Sequence, residues 1–390
     1  MDQRRPPRHK SAIRDVRSPT SRQVALQALT EIQTGSRANV VLAAFLGDQG
    51  RGLSERDRAF VTELVQGTTR MRRAVDHLLQ PFITRKLDTD VLAALRMGAY
   101  QLHHLRTPAH AAVNDTVSVA PRRARGLVNA VLRKVADVDP EWPDEATQFS
   151  YPDWIWNLFL ERWGQEGRAS LISMNTPERP LPRFDGYIQG QASRWVSEAV
   201  DDASPNGGTI VDLCAAPGGK ATACGAAWSK IWANEIDPTR ARALSEVVEN
   251  YRPEIQVVVS DGTNTPFGDG FADAVLVDAP CSGLGALGRR SDARWHISKE
   301  AITRLTGTQD ALLEEALRIL RPSGVLTYSV CTTTQQETCG VTQAFHERHQ
   351  ELRSLELQGS HWRPHCNGGL VLPHDYETDG MAIFQWVREK

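Results

Sequence analysis

The chain has 390 residues, 45 of them Lys or Arg and 47 Asp or Glu, for a formal net charge of −2, and 41% are hydrophobic. At roughly 100 to 200 residues per domain this predicts two or three domains with ordinary cores and excludes wholesale disorder. The near-neutral balance also means that only local basic patches, not overall charge, would attract a nucleic acid.

Residues 1–20 carry Arg4, Arg5, Arg8, Lys10, Arg14 and Arg17 against Asp2 and Asp15, a local +4 without periodicity, and read as a flexible basic arm. No run approaches the roughly 18 apolar residues that span a bilayer, and MDQRRPPRHK lacks an apolar signal core. A cytoplasmic protein with no membrane partner is expected. From Ser21 to Val138 the pattern is helical: Ala25, Ala28, Leu29 and Ile32 recur at helical spacing before Gly35. Further apolar faces are Val40, Val41, Ala44 and Phe45; Phe60, Val61, Leu64 and Val65 behind a Ser54 start; and Ala74, Val75, Leu78 and Leu79. Val91, Leu92, Leu95 and Tyr100, then Ala112, Val113 and Val117, then Leu127, Val128, Val131 and Leu132 complete an all-α bundle over 21–138. Its basic spots are Arg70, Arg72 and Arg73, and Arg122, Arg123, Arg125, Arg133 and Lys134; the second is dense enough to suggest an RNA-facing patch.

Residues 139–187, rich in Pro and Trp, read as a linker holding one short helix around Trp154 to Trp163. The period then changes. Short β runs (209–213, 230–234, 255–259, 274–277 and 324–328) alternate with helical segments (220–227, 238–250 and 299–320), which predicts an open, mostly parallel sheet with helices on both faces over 188–390.

The first strand runs into Cys214-Ala215-Ala216-Pro217-Gly218-Gly219-Lys220, a Gly-rich turn that is neither GxGxxG nor a P-loop, which disfavours dinucleotides and nucleoside triphosphates. Glu235 ends the second strand and Asp261 follows the third, where carboxylates can accept hydrogen bonds from a ribose. The fourth and fifth strands end in Asp278-Ala279-Pro280-Cys281-Ser282-Gly283 and Tyr328-Ser329-Val330-Cys331-Thr332. Cys281 and Cys331 should therefore face one crevice, and thiol chemistry is expected there. All six cysteines (Cys214, Cys224, Cys281, Cys331, Cys339, Cys366) lack a CxxC partner, which argues against a disulfide framework and a zinc ribbon. His361, His365, Cys366 and His374 fit no standard metal spacing, so no metal is expected.

Together, DLCAAPGGK, DAPCSG and YSxCT resemble three motifs of the S-adenosylmethionine-dependent RNA cytosine-C5 methyltransferases. His110-Ala111-Ala112-Val113-Asn114 and Gly126-Leu127-Val128-Asn129-Ala130-Val131-Leu132-Arg133 resemble the NusB-type domain fused to the bacterial RsmB/Sun/Fmu-type 16S rRNA branch. The resemblance implies a NusB-like helical domain followed by a Rossmann-like class I methyltransferase domain, with S-adenosylmethionine as cofactor and RNA, not DNA, as partner. It also implies Cys331 as nucleophile, Asp278 at the cytosine N3, Cys281 in adduct breakdown, and the cofactor held by Cys214 through Lys220, Glu235, Asp261 and Asp278. Lys220 and the sulfonium are the positive neighbours expected to lower the thiol pKa. Arg289, Arg290 and Arg294 would meet RNA phosphates. The sequence departs from the family at Val330, where Thr is usual. It departs further after Arg183-Phe184, where an RNA-binding subdomain is missing or shortened. A small heteroaromatic substrate, or a non-catalytic RNA-binding role, are the alternatives that this second departure raises.

Overall fold

The computed structural model describes residues 19–48, 52–105 and 107–390. The basic arm lies almost wholly outside the described residues. The chain divides into two units, residues 1–141 and 142–390.

The first unit is helical: α1 (Ser21–Ile32), α2 (Ala38–Asp48), α3 (Glu55–Arg70), α4 (Arg72–Leu79), α5 (Thr89–His103), α6 (Ala109–Val119) and α7 (Arg125–Ala136). Most of the apolar stripes in the sequence become buried faces; that of α2 does not, since Val41 is buried but Val40 and Ala44 are exposed. Ala25, Ala28 and Leu29 of α1, Val61, Leu64 and Val65 of α3, and Leu95 of α5 are buried. Thr20 caps α1 reciprocally with Gln23, and the Ser54 hydroxyl accepts from the Asp57 amide to start α3. The basic spots are less available than the sequence suggests. Arg70 is buried, Arg123 pairs with Asp88 and Asp90, and Arg125 donates to the carbonyls of Ser118 and Ala120.

The second unit opens with α8 (Glu145–Gln148) and α9 (Asp153–Ser173). The expected linker is therefore corrected: Tyr151, Ile155, Trp156, Phe159 and Leu171 pack on Leu284, Leu287 and Ile302 as a core of their own. Two glycines that read as helix breakers explain the miss. Gly164, at φ +54, breaks α9 into two helical pieces across a kink, the first ending near Trp163, and Gly167 passes so close to the Phe159 carbonyl that a Cβ there would sit 2.1 Å from its oxygen.

Beyond it come α10 (Gln191–Ala203), β1 (Gly208–Asp212), α11 (Gly219–Ala223), β2 (Trp228–Glu235), α12 (Pro238–Tyr251), β3 (Gln256–Val259), β4 (Ala272–Asp278), α13 (Ala293–His296), α14 (Lys299–Ile319), β5 (Leu320–Val330) and α15 (Val341–Arg348). The chain closes with β6 (Leu352–Ser354), β7 (Arg363–His365), β8 (Gly368–Val371) and β9 (Met381–Arg388). The sheet order is β3-β2-β1-β4-β5-β9-β8-β7, with β6 also on β9. β1 to β5 pair in parallel, and β9 pairs antiparallel to β5.

Alternation along β4 sorts two cores. Val275 and Val277 pack with Leu312, Leu313 and Ala316 of α14 on one face, while Ala274 and Leu276 pack with Val196 and Val200 of α10 and Leu244 of α12 on the other. Burial on both faces is why these strands read as apolar runs. Strand order reverses between β1 and β4, so the carboxyl ends of β1, β2, β4 and β5 border one crevice. Among the described residues, no helix is long and apolar enough to cross a membrane.

Candidate active site

The turn after β1 is shaped by Gly218, at φ +108, where a side chain would be strained and its Cβ would meet Leu244 at 2.9 Å. The helix that follows, α11, is five residues long rather than the eight expected. Arg183, a buried residue that the sequence did not single out, holds this turn from outside. Its guanidinium donates to the Gly219 carbonyl (3.0 Å), the Gln189 side chain (3.1 Å) and the Thr222 hydroxyl (3.2 Å), and pairs with Asp185 at 2.5 Å. Asn234, also missed, ties the ends of β1 and β3 to β2: its amide donates to the carbonyls of Leu213 (3.0 Å) and Ser260 (3.1 Å).

Three carboxylates stand at these strand ends. Asp212 is fully buried, its Oδ2 has no hydrogen-bond partner, and burial, with Asp278 adding to it, pushes its pKa up to about 7. Glu235 is buried, accepts from the Asp237 amide at 3.0 Å and meets Arg240 at 3.2 Å. Asp261 is exposed and accepts from the amide and hydroxyl of Thr263. A buried orphan carboxylate oxygen beside a glycine-shaped turn and a second buried acid fits a ligand rich in hydroxyl and amine donors, which is the character of S-adenosylmethionine. Cys214 and Cys224 are kept as neutral thiols by burial.

At the ends of β4 and β5 the structure brings the two expected thiols together, with 3.3 Å between the Cys281 and Cys331 sulfurs. Asp278 lies beside them, accepting from Lys220 Nζ at 2.6 Å and from the Ser329 hydroxyl at 2.9 Å. The thiols are not equivalent. The hydrogen bond from Cys281, with help from Arg290, lowers the Cys331 pKa to about 7 against the cost of burial. The same hydrogen bond, burial, the charge of Cys331 and, after these, that of Glu337 raise the Cys281 pKa well above its usual value. Of the two, Cys331 is the more acidic thiol. The cation beside the thiolate is Arg290; Lys220, the residue expected there, is engaged by Asp278.

The three arginines part company. Arg290 is exposed and faces the thiols, whereas Arg289 is paired with Asp379. Arg294 does not stand where a phosphate would meet it: it is 0% exposed, donates to the Ser150 carbonyl (3.1 Å) and Asn175 Oδ1 (3.0 Å), and lies 4.0 Å over the Tyr151 ring. The expectation for Arg294 is corrected to a core role. Ser150, Tyr151 and Asn175 lie more than a hundred residues away in the segment read as linker, which is why spacing suggested a surface loop.

The other two cysteines also differ from expectation. Cys339 and Cys366 are disulfide-bonded, their Cα atoms brought to 5.9 Å by the π-turn Gln336–Gly340 and the β7–β8 hairpin. Of the four residues considered together in the sequence, His365 and Cys366 come together with Cys339, their ligand atoms within 4.8 Å of one another, while His374 bonds Ser170 and His361 stacks on Trp195.

A crevice at the switch point of a parallel sheet, with a glycine turn, strand-end acids and a pair of thiols, defines an S-adenosylmethionine-dependent class I methyltransferase. Family models agree: one described as 16S rRNA methyltransferase RsmB/F matches residues 202–386, and the NusB family model matches residues 19–137. The ribosomal RNA small subunit methyltransferase B of Thermus thermophilus is 32% identical over 373 residues, covering 88% of this chain and 91% of that protein. That of Yersinia pseudotuberculosis is 28% identical over 431 residues, covering 94% of this chain and 98% of that protein. A solved structure, the crystal structure of PH0851, matches in fold with a TM-score of 0.78 at 20% identity, over 96% of this chain and 99% of that one. The chain belongs to the RsmB/F family of 16S rRNA methyltransferases, with an N-terminal NusB domain.

Proposed function

We propose that this chain methylates C5 of a cytosine in RNA, with small-subunit ribosomal RNA as the substrate, through a covalent bond from Cys331 to C6. The observation that carries the reading is the thiol pair, 3.3 Å apart, with Asp278 and Lys220 beside it. C5 of cytosine is a weak nucleophile, and addition of a thiolate at C6 makes it an enamine carbon able to attack an electrophile. When bound, S-adenosylmethionine supplies that electrophile as a methyl group on a sulfonium. Cys331 adds to C6 while Asp278, held by Lys220 and Ser329, faces N3 and supports the change of charge there. Once C5 carries the methyl group its proton passes to a solvent base, the C5–H electrons form the C5=C6 double bond, and the Cys331–C6 bond breaks with its electrons returning to the Cys331 sulfur. Cys281, hydrogen-bonded to that sulfur, assists its departure. Cys214, Ala215, Ala216, Pro217, Gly218, Gly219 and Lys220 would hold the cofactor, together with Glu235, Asp261 and Asp278. Arg290 remains in the proposed substrate site, with Arg289 at its edge.

One observation favours a second reading, the same chemistry on a small heteroaromatic molecule. Between α9 and α10, where the RNA-binding subdomain is expected, the chain makes only a short hairpin closed by a Pro182–Ile188 bridge. The chain is also the shorter partner in alignment: 94% of 390 residues is about 367, so about 64 of the 431 positions aligned with the Yersinia protein have no residue here. The test is incubation with methyl-labelled cofactor and either 16S rRNA or a small-molecule extract. The proposal expects 5-methylcytidine in the RNA digest and none with Cys331→Ala. Label in a small metabolite alone, or full turnover by Cys331→Ala, contradicts it.

A further inference from the structure

Neither thiol holds its own place: Cys281 and Cys331 lie on separate loops, fifty residues apart in sequence. The backbone stitches these loops at two points, Ala279 N–H to the Ser329 carbonyl (3.0 Å) and Gly285 N–H to the Cys331 carbonyl (3.0 Å). Between them sits a buried carboxylate with no role in the mechanism above. Glu337, 0% exposed on the π-turn after β5, accepts from the Ser282 amide at 2.7 Å, the Ser282 hydroxyl at 2.5 Å, the Thr334 hydroxyl at 2.8 Å and the Gln309 amide at 3.2 Å. Ser282 adjoins Cys281. Its only proton goes to Glu337, so its hydroxyl accepts from Thr332, the neighbour of Cys331, at 2.9 Å. Gln309 also donates to the carbonyl of Pro280, on the other side of Cys281, at 3.0 Å. Residues adjoining both thiols thus converge on one carboxylate, buried where four donors over-determine its position.

We propose that Glu337 is the positioning residue of the thiol pair: through Ser282 and Thr332 it fixes the two sulfurs at hydrogen-bond distance, with its carboxylate set on the Cys281 side. The charges around the pair agree with this placement. Cys281 faces Glu337, Cys331 and the buried Tyr328 phenol, while Cys331 faces Arg290, Asp278 and Asp379. Arg290 reaches both sulfurs, and so does not by itself choose between them. Glu337, bonded to the amide and hydroxyl of Ser282, lies on the Cys281 side and adds to the asymmetry. The inference deepens the proposed division of labour between the thiols and rests on that reading for its catalytic meaning.

The test is competitive alkylation of the full chain by iodoacetamide at neutral pH, without RNA or cofactor, with each cysteine followed by peptide mass spectrometry. In the wild type Cys331 should react about tenfold or more faster than Cys281, because the thiolate is the reacting form. In Glu337→Gln the amide keeps the volume and accepts from the Ser282 amide, but the charge is gone. The Cys331 to Cys281 ratio should fall to within about threefold, with Cys214 and Cys224 unchanged. An unchanged ratio in folded Glu337→Gln overturns the proposal, and so does a parallel rise at all four cysteines, which is plain loosening. If Glu337→Gln does not fold, Ser282→Ala serves. It cuts the link between the two loops and should also lower the ratio as the sulfurs separate, and an unchanged ratio there is equally fatal. Since the readout needs no methyl transfer, retention of activity by Cys331→Ala would sink the nucleophile assignment while leaving the alkylation ratio to judge Glu337 separately.

Discussion

The two sides of the crevice are built on opposite plans. On the side of β1 to β3, hydrogen-bonding capacity is left open: Asp212 keeps a buried oxygen without a partner, Asp261 is exposed, and the Gly218 turn brings backbone to the surface of the crevice. On the side of β4 and β5, the fully buried Glu337 takes four donors within the chain and Asp278 is held by Lys220 and Ser329. The difference follows from what each side does. A binding surface must offer unmet acceptors to a ligand, whereas a reacting pair of sulfurs must be held at a fixed separation, which a closed network does better than a solvated one.

The contrast is sharpened by variants that strike one side only. Glu235→Ala should weaken S-adenosylmethionine binding by about 1 to 3 kcal/mol, roughly 5- to 150-fold, through ribose hydroxyls left without a buried acceptor. Calorimetric titration measures it, and the alkylation preference for Cys331 should stay as in the wild type. Unchanged affinity removes Glu235 from the cofactor site. Arg290→Gln should do the converse. The Cys331 pKa is held down to about 7, so methylation should rise as pH passes through about 7 and deprotonates it. Without the guanidinium the thiolate loses its cation and the midpoint should move up by about one pH unit. Initial rates across pH test this, with cofactor affinity unaltered. A pH profile that ignores Arg290→Gln would mean that Cys281 alone sets the thiolate.

The open side was largely legible in the sequence and the closed side only in part, for a physical reason. A glycine turn with acids after successive strands is local chemistry, written in a few neighbouring residues, and the strands that carry it are marked by apolar runs bounded by helical periodicity. Cys281 and Cys331 were visible in the same way. What fixes them was not, because Glu337 reaches Ser282 across 55 residues and Gln309 reaches Glu337 from α14. Arg183, Arg294 and the Cys339–Cys366 pair escaped for the same reason: a charged or sulfur-bearing residue reads as surface or unpaired until the fold brings its partner. The short strands β6 to β8 and the antiparallel β9 carried too few residues or too mixed a pattern to announce themselves beyond the fifth strand.

The central claim is that the two thiols divide one covalent reaction. Its most direct test is Cys281→Ala incubated with 16S rRNA and S-adenosylmethionine, then resolved on a denaturing gel. This variant keeps the nucleophile but lacks the group that assists departure of its sulfur, so a covalent protein–RNA band resistant to denaturant should accumulate. The band should be absent in Cys331→Ala and in the double variant. No covalent band in folded Cys281→Ala, or an equal band when Cys331 is replaced, would contradict the account.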